Sequence, residues 1–198
     1  GAHEAVELRD GDKSRYLEVV REEVGRLNGI VVDFLDAVRP LRSNPRKTVV
    51  GTLLEEVAAF WGPVLQGRGI HLDVVQDGGP LEANVDPDLL RQAIANLVKN
   101  AGEAIAETGL VKLAARREGE YLEILVEDNG CGIEKDRLGR IFEPYHTTKS
   151  AGTGLGLTIV YRIVKEHGGT IHVESEPGAG TRFAVRIPLW GKGRKLLR

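Results

Sequence analysis

Between Ser14 and Arg39 the apolar positions are Leu17, Val20, Val24, Leu27, Val31, Phe34 and Val38, alternating three and four apart without a slip. That 3.5-residue seam predicts one long helix of the coiled-coil or helical-hairpin kind, ended at Arg39-Pro40 because a proline pushes the preceding residue out of helical geometry. Such a helix cannot bury its seam alone. It needs a partner from a second copy or another segment, or else packs on its own globular domain.

After the polar stretch 42–47 the pattern becomes mixed. Thr48-Val49-Val50 reads as a short strand, and Thr52-Leu53-Leu54-Glu55 as a capping box opening a helix toward Gln66. Alternation predicts strands at 70–75, 81–85, 111–115, 122–127, 171–175 and 182–188. Asp86-Pro87 starts a helix whose face carries Leu90, Ile94, Leu97, Ala101 and Ile105. A glycine-rich region covers 128–156, and a further helix stops at Gly168-Gly169. Strands outnumber helices without a strict βαβ repeat, so the expected class is α+β: a two-layer sandwich with a mixed sheet and helices on one face.

Composition narrows the functions. The 198 residues carry 27 Lys+Arg against 29 Asp+Glu, a net charge of −2, which speaks against a nucleic-acid-binding surface. A single cysteine, Cys131, excludes an intrachain disulfide and a cysteine-based zinc site, and fits a reducing, cytoplasmic compartment. No apolar run reaches the roughly 18 residues of a membrane span.

The chemistry concentrates in four segments. In Asn96-Leu97-Val98-Lys99-Asn100 the two asparagines stand four apart on one helix face, where carboxamide oxygens can serve a hard cation that completes its shell with phosphates and water. Asp128-Asn129-Gly130-Cys131-Gly132-Ile133 follows a strand, so a carboxylate there can accept from an exocyclic amine while glycines admit a flat ring. Phe142-Glu143-Pro144-Tyr145-His146-Thr147-Thr148-Lys149 comes next. Gly152-Thr153-Gly154-Leu155-Gly156-Leu157 then opens a helix, where backbone N–H groups and the macrodipole suit a phosphate chain. Each segment alone is also an ordinary helix face or turn, and this is not a Walker loop, because the lysine precedes the glycines.

In this order the segments resemble the N box, first glycine box, F box and second glycine box of the histidine-kinase ATP-binding domain, in the superfamily that also holds gyrase-, Hsp90- and MutL-type ATPases. The resemblance spans Thr48 to Leu189, about three quarters of the chain, and includes Gly178-Ala179-Gly180-Thr181-Arg182-Phe183. Tyr16-Leu17 to Arg39-Pro40 resembles the second helix of the kinase dimerisation hairpin, and Phe142-Glu143-Pro144 with Thr147-Thr148-Lys149 is most similar to nitrogen-regulator-type sensor kinases. It implies the Bergerat-type nucleotide fold, with a partial hairpin over 1–42, a catalytic domain over 46–190 and a basic tail over 191–198.

It also implies ATP and Mg2+ as cofactors. Asn100 with Asn96 would hold the metal, and the expected catalytic set is Asn96, Lys99, Asn100 and Glu103, with Lys99 as a charge partner and Glu103 secondary, more a polar-face residue than a reacting one. Asp128 would bind the adenine amino group with Thr181 assisting through water, Gly130, Gly132 and Ile133 making room for the ring. Lys149, Gly152, Gly154, Leu155 and Gly156 would face the phosphates, with Phe142 anchoring the lid by packing and Arg140 a further charge partner. Implied partners are a response-regulator receiver domain and, through the N-terminal helix, a second copy, in a parent protein that is either soluble or membrane-anchored.

One position separates subfamilies. Gyrase- and Hsp90-like ATPases are similar here but place a water-activating glutamate where this chain has Asn96, and a carboxamide cannot take a proton from water. Transfer to another nucleophile is therefore the expected chemistry, and the resemblance implies a histidine as that acceptor and then an aspartate of a response regulator. His3-Glu4 lies only 13 residues before Tyr16, too close for an intervening helix and turn, so the chain is expected to lack the acceptor helix and not to phosphorylate itself. The alternatives are an ATPase or serine kinase of the same superfamily, or a non-catalytic dimerisation and docking module.

Overall fold

Alternation along the strands decides which side of the sheet the helices cover. The computed structural model describes residues 10–38, 41–76, 79, 81–147 and 152–189. Its elements run α1 (Asp10–Val38), β1 (Arg46–Val49), α2 (Val50–Gln66), β2 (Ile70–Gln76), β3 (Glu82–Val85), α3 (Pro87–Ala104), β4 (Gly109–Glu118), β5 (Tyr121–Asp128), α4 (Lys135–Leu138), α5 (Gly156–Glu166), β6 (Thr170–Glu176) and β7 (Gly180–Pro188). Five strands form one mixed sheet in the order β2-β4-β5-β7-β6. Only β2 and β4 run parallel, as the crossover through β3 and α3 requires. Val111 and Leu113 on β4, Leu122, Ile124 and Val126 on β5, and Phe183, Val185 and Ile187 on β7 are buried under the helices.

The helix layer runs α2, α3, α5 over that face. α3 buries Leu90, Ala93, Ile94, Leu97, Val98 and Ala101. Its start is capped as expected: the Asp86 carboxylate accepts from the Asp88 and Leu89 N–H groups at 3.0 and 3.1 Å. The same side chain accepts from Asn44 N–H at 2.7 Å, while Asp86 N–H donates to Nε2 of His167 at 2.9 Å, just past the end of α5. Burial alone would raise the Asp86 carboxyl. The Asn44, Leu89 and Asp88 N–H groups, together with His167, hold it below the ordinary carboxylate range.

Several expectations are corrected. The capping box at Thr52 does not form: α2 begins at Val50 without a side-chain cap, because Val50 N–H donates to Leu81 O at 2.8 Å, a tertiary partner in place of a local one. The strand expected at Thr48–Val50 is accordingly Arg46–Val49, and it pairs with β3 in a separate two-stranded ribbon outside the main sheet. The glycine-rich region contains the one-turn helix α4. α1 spans Asp10–Val38, its seam residues Leu17, Val20, Val24, Leu27, Val31 and Phe34 all exposed. His3, Arg39, Pro40 and the tail 191–198 lie outside the described residues.

The far face of the sheet is covered by side chains of alternating charge. Across the strands Asp73, Lys112, Glu127, Arg182 and Glu174 fall in register. A second row centres on Glu123, which is only 3% exposed. It accepts from Arg116 Nε at 2.6 Å and Arg186 Nε at 2.9 Å, and Arg186 also pairs with Glu118. Burial pushes the Glu123 carboxyl up, but the Arg186 and Arg116 hydrogen bonds outweigh it and hold the carboxyl below its usual value.

Because that value is depressed in the folded state, the stabilisation is complete above the unfolded carboxylate range and is lost as pH falls through the folded one. We expect Glu123→Gln to lose about 1.5–3 kcal/mol at pH 7, the usual range for hydrogen bonds to a charged group. In urea unfolding the gap to wild type should shrink below about pH 4. Equal stability at pH 7 would refute the assignment.

Candidate functional site

A cavity of about 900 Å³ opens between the C-terminal half of α3, the end of β5, the start of α5 and the lid segment before it. α3 supplies Asn96, Lys99, Asn100 and Glu103 to its wall, the polar face left by the buried stripe. Asn96 and Asn100 are half-buried, and Lys99 and Glu103 are exposed.

The opposite wall is built on strand ends. Asp128 closes β5 and faces Thr181 of β7 in register, and both border the cavity. The Asp128 carboxylate accepts from Gly130 N–H at 2.8 Å, an Asx-type turn that fixes its rotamer and points the loop back toward α3. There Cys131 N–H donates to Ala104 O at 3.0 Å. Gly132 has φ of +70°, and a Cβ at that position would come 2.1 Å from the Glu176 carbonyl oxygen, so only glycine fits. Ile133 follows it on the cavity wall.

Ser175, which the sequence reading missed, ties this wall together. Its hydroxyl accepts from Ile133 N–H at 2.8 Å and donates to Gly180 O at 2.8 Å, and Thr181 Oγ1 lies 2.9 Å away. Since the serine proton goes to Gly180, the threonine hydroxyl donates to Ser175 and keeps its own lone pairs free for the cavity. A signal was present: Ile171 and Val173 point to the helix layer from β6, and the next inward position is this polar residue.

The third wall is the lid base. Gly152, Gly154 and Gly156 border the cavity, while Leu155 is buried behind them. Gly154 has φ of +68°, with its Cβ position 2.6 Å from the Tyr145 carbonyl carbon, and Tyr145 N–H donates to Gly154 O at 3.1 Å. The two stems of the lid are thereby clamped. Phe142 stands off the cavity, 5.7 Å from the Tyr161 ring, and its carbonyl accepts from the Thr158 hydroxyl at 3.1 Å, so it anchors the lid base to α5. A Cβ on Gly156 would lie 4.0 Å from Asn100 Nδ2, which puts the start of α5 beside the asparagine pair.

Of the sequence-predicted residues, the cavity brings together Asn96, Lys99, Asn100, Glu103, Asp128, Gly132, Ile133, Gly152, Gly154, Gly156 and Thr181. Gly130 is buried behind the wall, and Arg140 is taken up by Glu143 at 2.9 Å. Lys149 lies outside the described residues.

A two-layer sandwich with an asparagine-bearing helix, a carboxylate at a strand end and a glycine lid stem is the architecture of a histidine-kinase-type ATP-binding domain. The chain belongs to the histidine kinase-, DNA gyrase B- and HSP90-like ATPase family, whose model matches residues 85–191. It is 36% identical over 179 residues to the sensor histidine kinase ZraS of Escherichia coli (strain K12), covering 90% of this chain and 38% of ZraS. The fold is similar to that of the ShkA full-length structure in complex with AMPPNP, with a TM-score of 0.81, 28% identity and coverage of 96% of this chain and 42% of that one. It is also similar to histidine kinase ThkA in complex with response regulator protein TrrA, with a TM-score of 0.77, 26% identity and coverage of 98% and 54%. The chain thus spans well under half the length of ZraS.

Ser175→Ala should leave the Ile133 donor without its partner and cost about 1–3 kcal/mol in denaturant unfolding. Stability unchanged within error would show that the hydroxyl does not hold this wall.

Proposed function

We propose that this chain is the ATP-binding catalytic part of a two-component sensor kinase, moving the γ-phosphate of ATP to a histidine, from which a response-regulator aspartate takes it. The observation that carries the reading is the convergence of Asn96 and Asn100 with Asp128, Thr181 and the lid glycines on one cavity. In this assignment Asp128 accepts from the adenine amino group and the lone pairs of Thr181 take a bridging water. Gly132 and Ile133 bound the ring, and Gly152, Gly154, Gly156 and Lys149 attend the phosphates.

Mg2+ fits this donor set. The described residues hold no cluster of three or more His, Cys, Asp or Glu side chains that would bind a metal by themselves, whereas two carboxamides suit a cation that shares its shell with phosphates. Asn100, with Asn96, would hold it, and when bound it neutralises charge on the transferring phosphoryl group. Lys99 adds positive charge on the same wall, and Glu103 acts as a polar neighbour.

Transfer is favoured over hydrolysis because Asn96 leaves the helix face without a general base at the hydrolase position. The exposed seam of α1 supports dimerisation through that helix, as residues 1–42 would form part of the hairpin, 46–190 the catalytic domain and 191–198 a tail. A receiver domain as partner and a cytoplasmic placement belong to the same reading. Among the described residues no helix is long and apolar enough to cross a membrane.

Titration with Mg-ATP should give micromolar to millimolar affinity. Asp128→Asn, which keeps the shape but not the charge, should weaken it about 10- to 100-fold, the worth of a charge-assisted hydrogen bond. Unchanged affinity would remove the adenine assignment. Sustained phosphate release from ATP by the wild-type chain would favour the ATPase alternative instead.

A further inference from the structure

The lid base holds a histidine that the assignment above leaves unused. His146 borders the cavity together with Thr147, Thr153 and Gly154. It is half-buried, and its Nε2 is enclosed without a hydrogen-bond partner among the described residues. Such an orphaned polar atom calls for an explanation, because buried imidazole nitrogens are normally paired.

The backbone fixes the residue there. Tyr145 is the one non-glycine residue with positive φ among those described, at 64°, a costly conformation that persists only where its surroundings enforce it. Its N–H is held by Gly154 O, and the next N–H, that of His146, donates to Glu143 O at 3.3 Å. The chain therefore reverses sharply just before His146 and delivers its ring to the cavity side. Terminal torsions of aromatic rings have broad wells, so a turn about that bond is the movement that would bring the enclosed nitrogen to an incoming acceptor.

We propose that His146 is a phosphate-binding residue of this site, its Nε2–H donating to the non-bridging oxygens of the nucleotide's phosphate tail. The inference rests on the nucleotide reading above and adds one residue to it. Position selects phosphate over base: His146 packs against Gly154 in the lid stem leading to Gly156, which itself lies beside Asn100, whereas Asp128 and Thr181 occupy the β5–β7 wall. Phosphate oxygens are strong acceptors, the complement of an unpaired N–H donor.

The test compares Mg-ATP with adenosine by calorimetry on the wild-type chain, His146→Phe and His146→Gln. Removing the donor in His146→Phe should weaken ATP about tenfold, within the range of a hydrogen bond to a charged acceptor, and leave adenosine within about twofold. His146→Gln, whose amide reaches about as far as Nε2, should keep ATP affinity within about threefold. In wild type, the ring 15N signal of Nε2 should shift on adding ATP but not adenosine, a readout that mere packing would not move. Equal losses for both ligands, or no loss of ATP, with the ring signal unmoved, would overturn the proposal alone. A wild-type chain that binds neither ligand would overturn the nucleotide reading and this inference with it.

Discussion

The rotation of α3 about its own axis is the constraint from which the site follows. Six of its side chains, from Leu90 to Ala101, are buried between the sheet and its neighbouring helices. At roughly 1.5–3 kcal/mol for each large aliphatic group, turning the helix by one residue would expose several of them. With that stripe committed inward, positions 96, 99, 100 and 103 have only the cavity side left to occupy. Chemistry is thus placed by burial of residues that take no part in it.

The sheet meets the opposite problem. Helices cover one face, and the other would be an exposed apolar surface if its outward positions were aliphatic. Cross-strand rows of opposite charge solve this, with Glu123 held between two arginines whose stems shield it. The same rows oppose register slips, since a shift of one residue would set apolar side chains outward and charges into the core.

Much of the molecule was legible in its sequence, for physical reasons that differ by element. The heptads of α1, the cap at Asp86 and the glycine-bounded end of α5 are local signals; α3 begins and α5 ends where they placed them, and α1 runs through the heptad stretch but begins at Asp10 rather than Ser14. The resemblance carried by four short segments led to the fold and to the walls of the cavity. Tertiary partners were not legible. The Thr52 capping box yielded to a hydrogen bond from Val50 to Leu81, β1 left the main sheet to pair with β3, and Ser175 gained its role from three partners on other segments. The reversal at Tyr145 was equally hidden, because a tyrosine gives no sequence hint of positive φ.

The bond from Asn44 to the Asp86 carboxylate marks where the chain leaving α1 is fastened to the domain. That point lies at the start of α3, while the first cavity residue on the helix, Asn96, comes ten positions later, a span of about 15 Å at the rise of an α-helix. The fastening and the cavity are therefore the two ends of a rigid lever. Because the buried stripe ties α3 to the sheet, a movement of the chain leaving α1 at that point is passed to the whole domain, asparagines included. α1 reaches the same cavity through Gly25, Gly29 and Ile30, so the helix whose outgoing chain is fastened at Asp86 also borders the site.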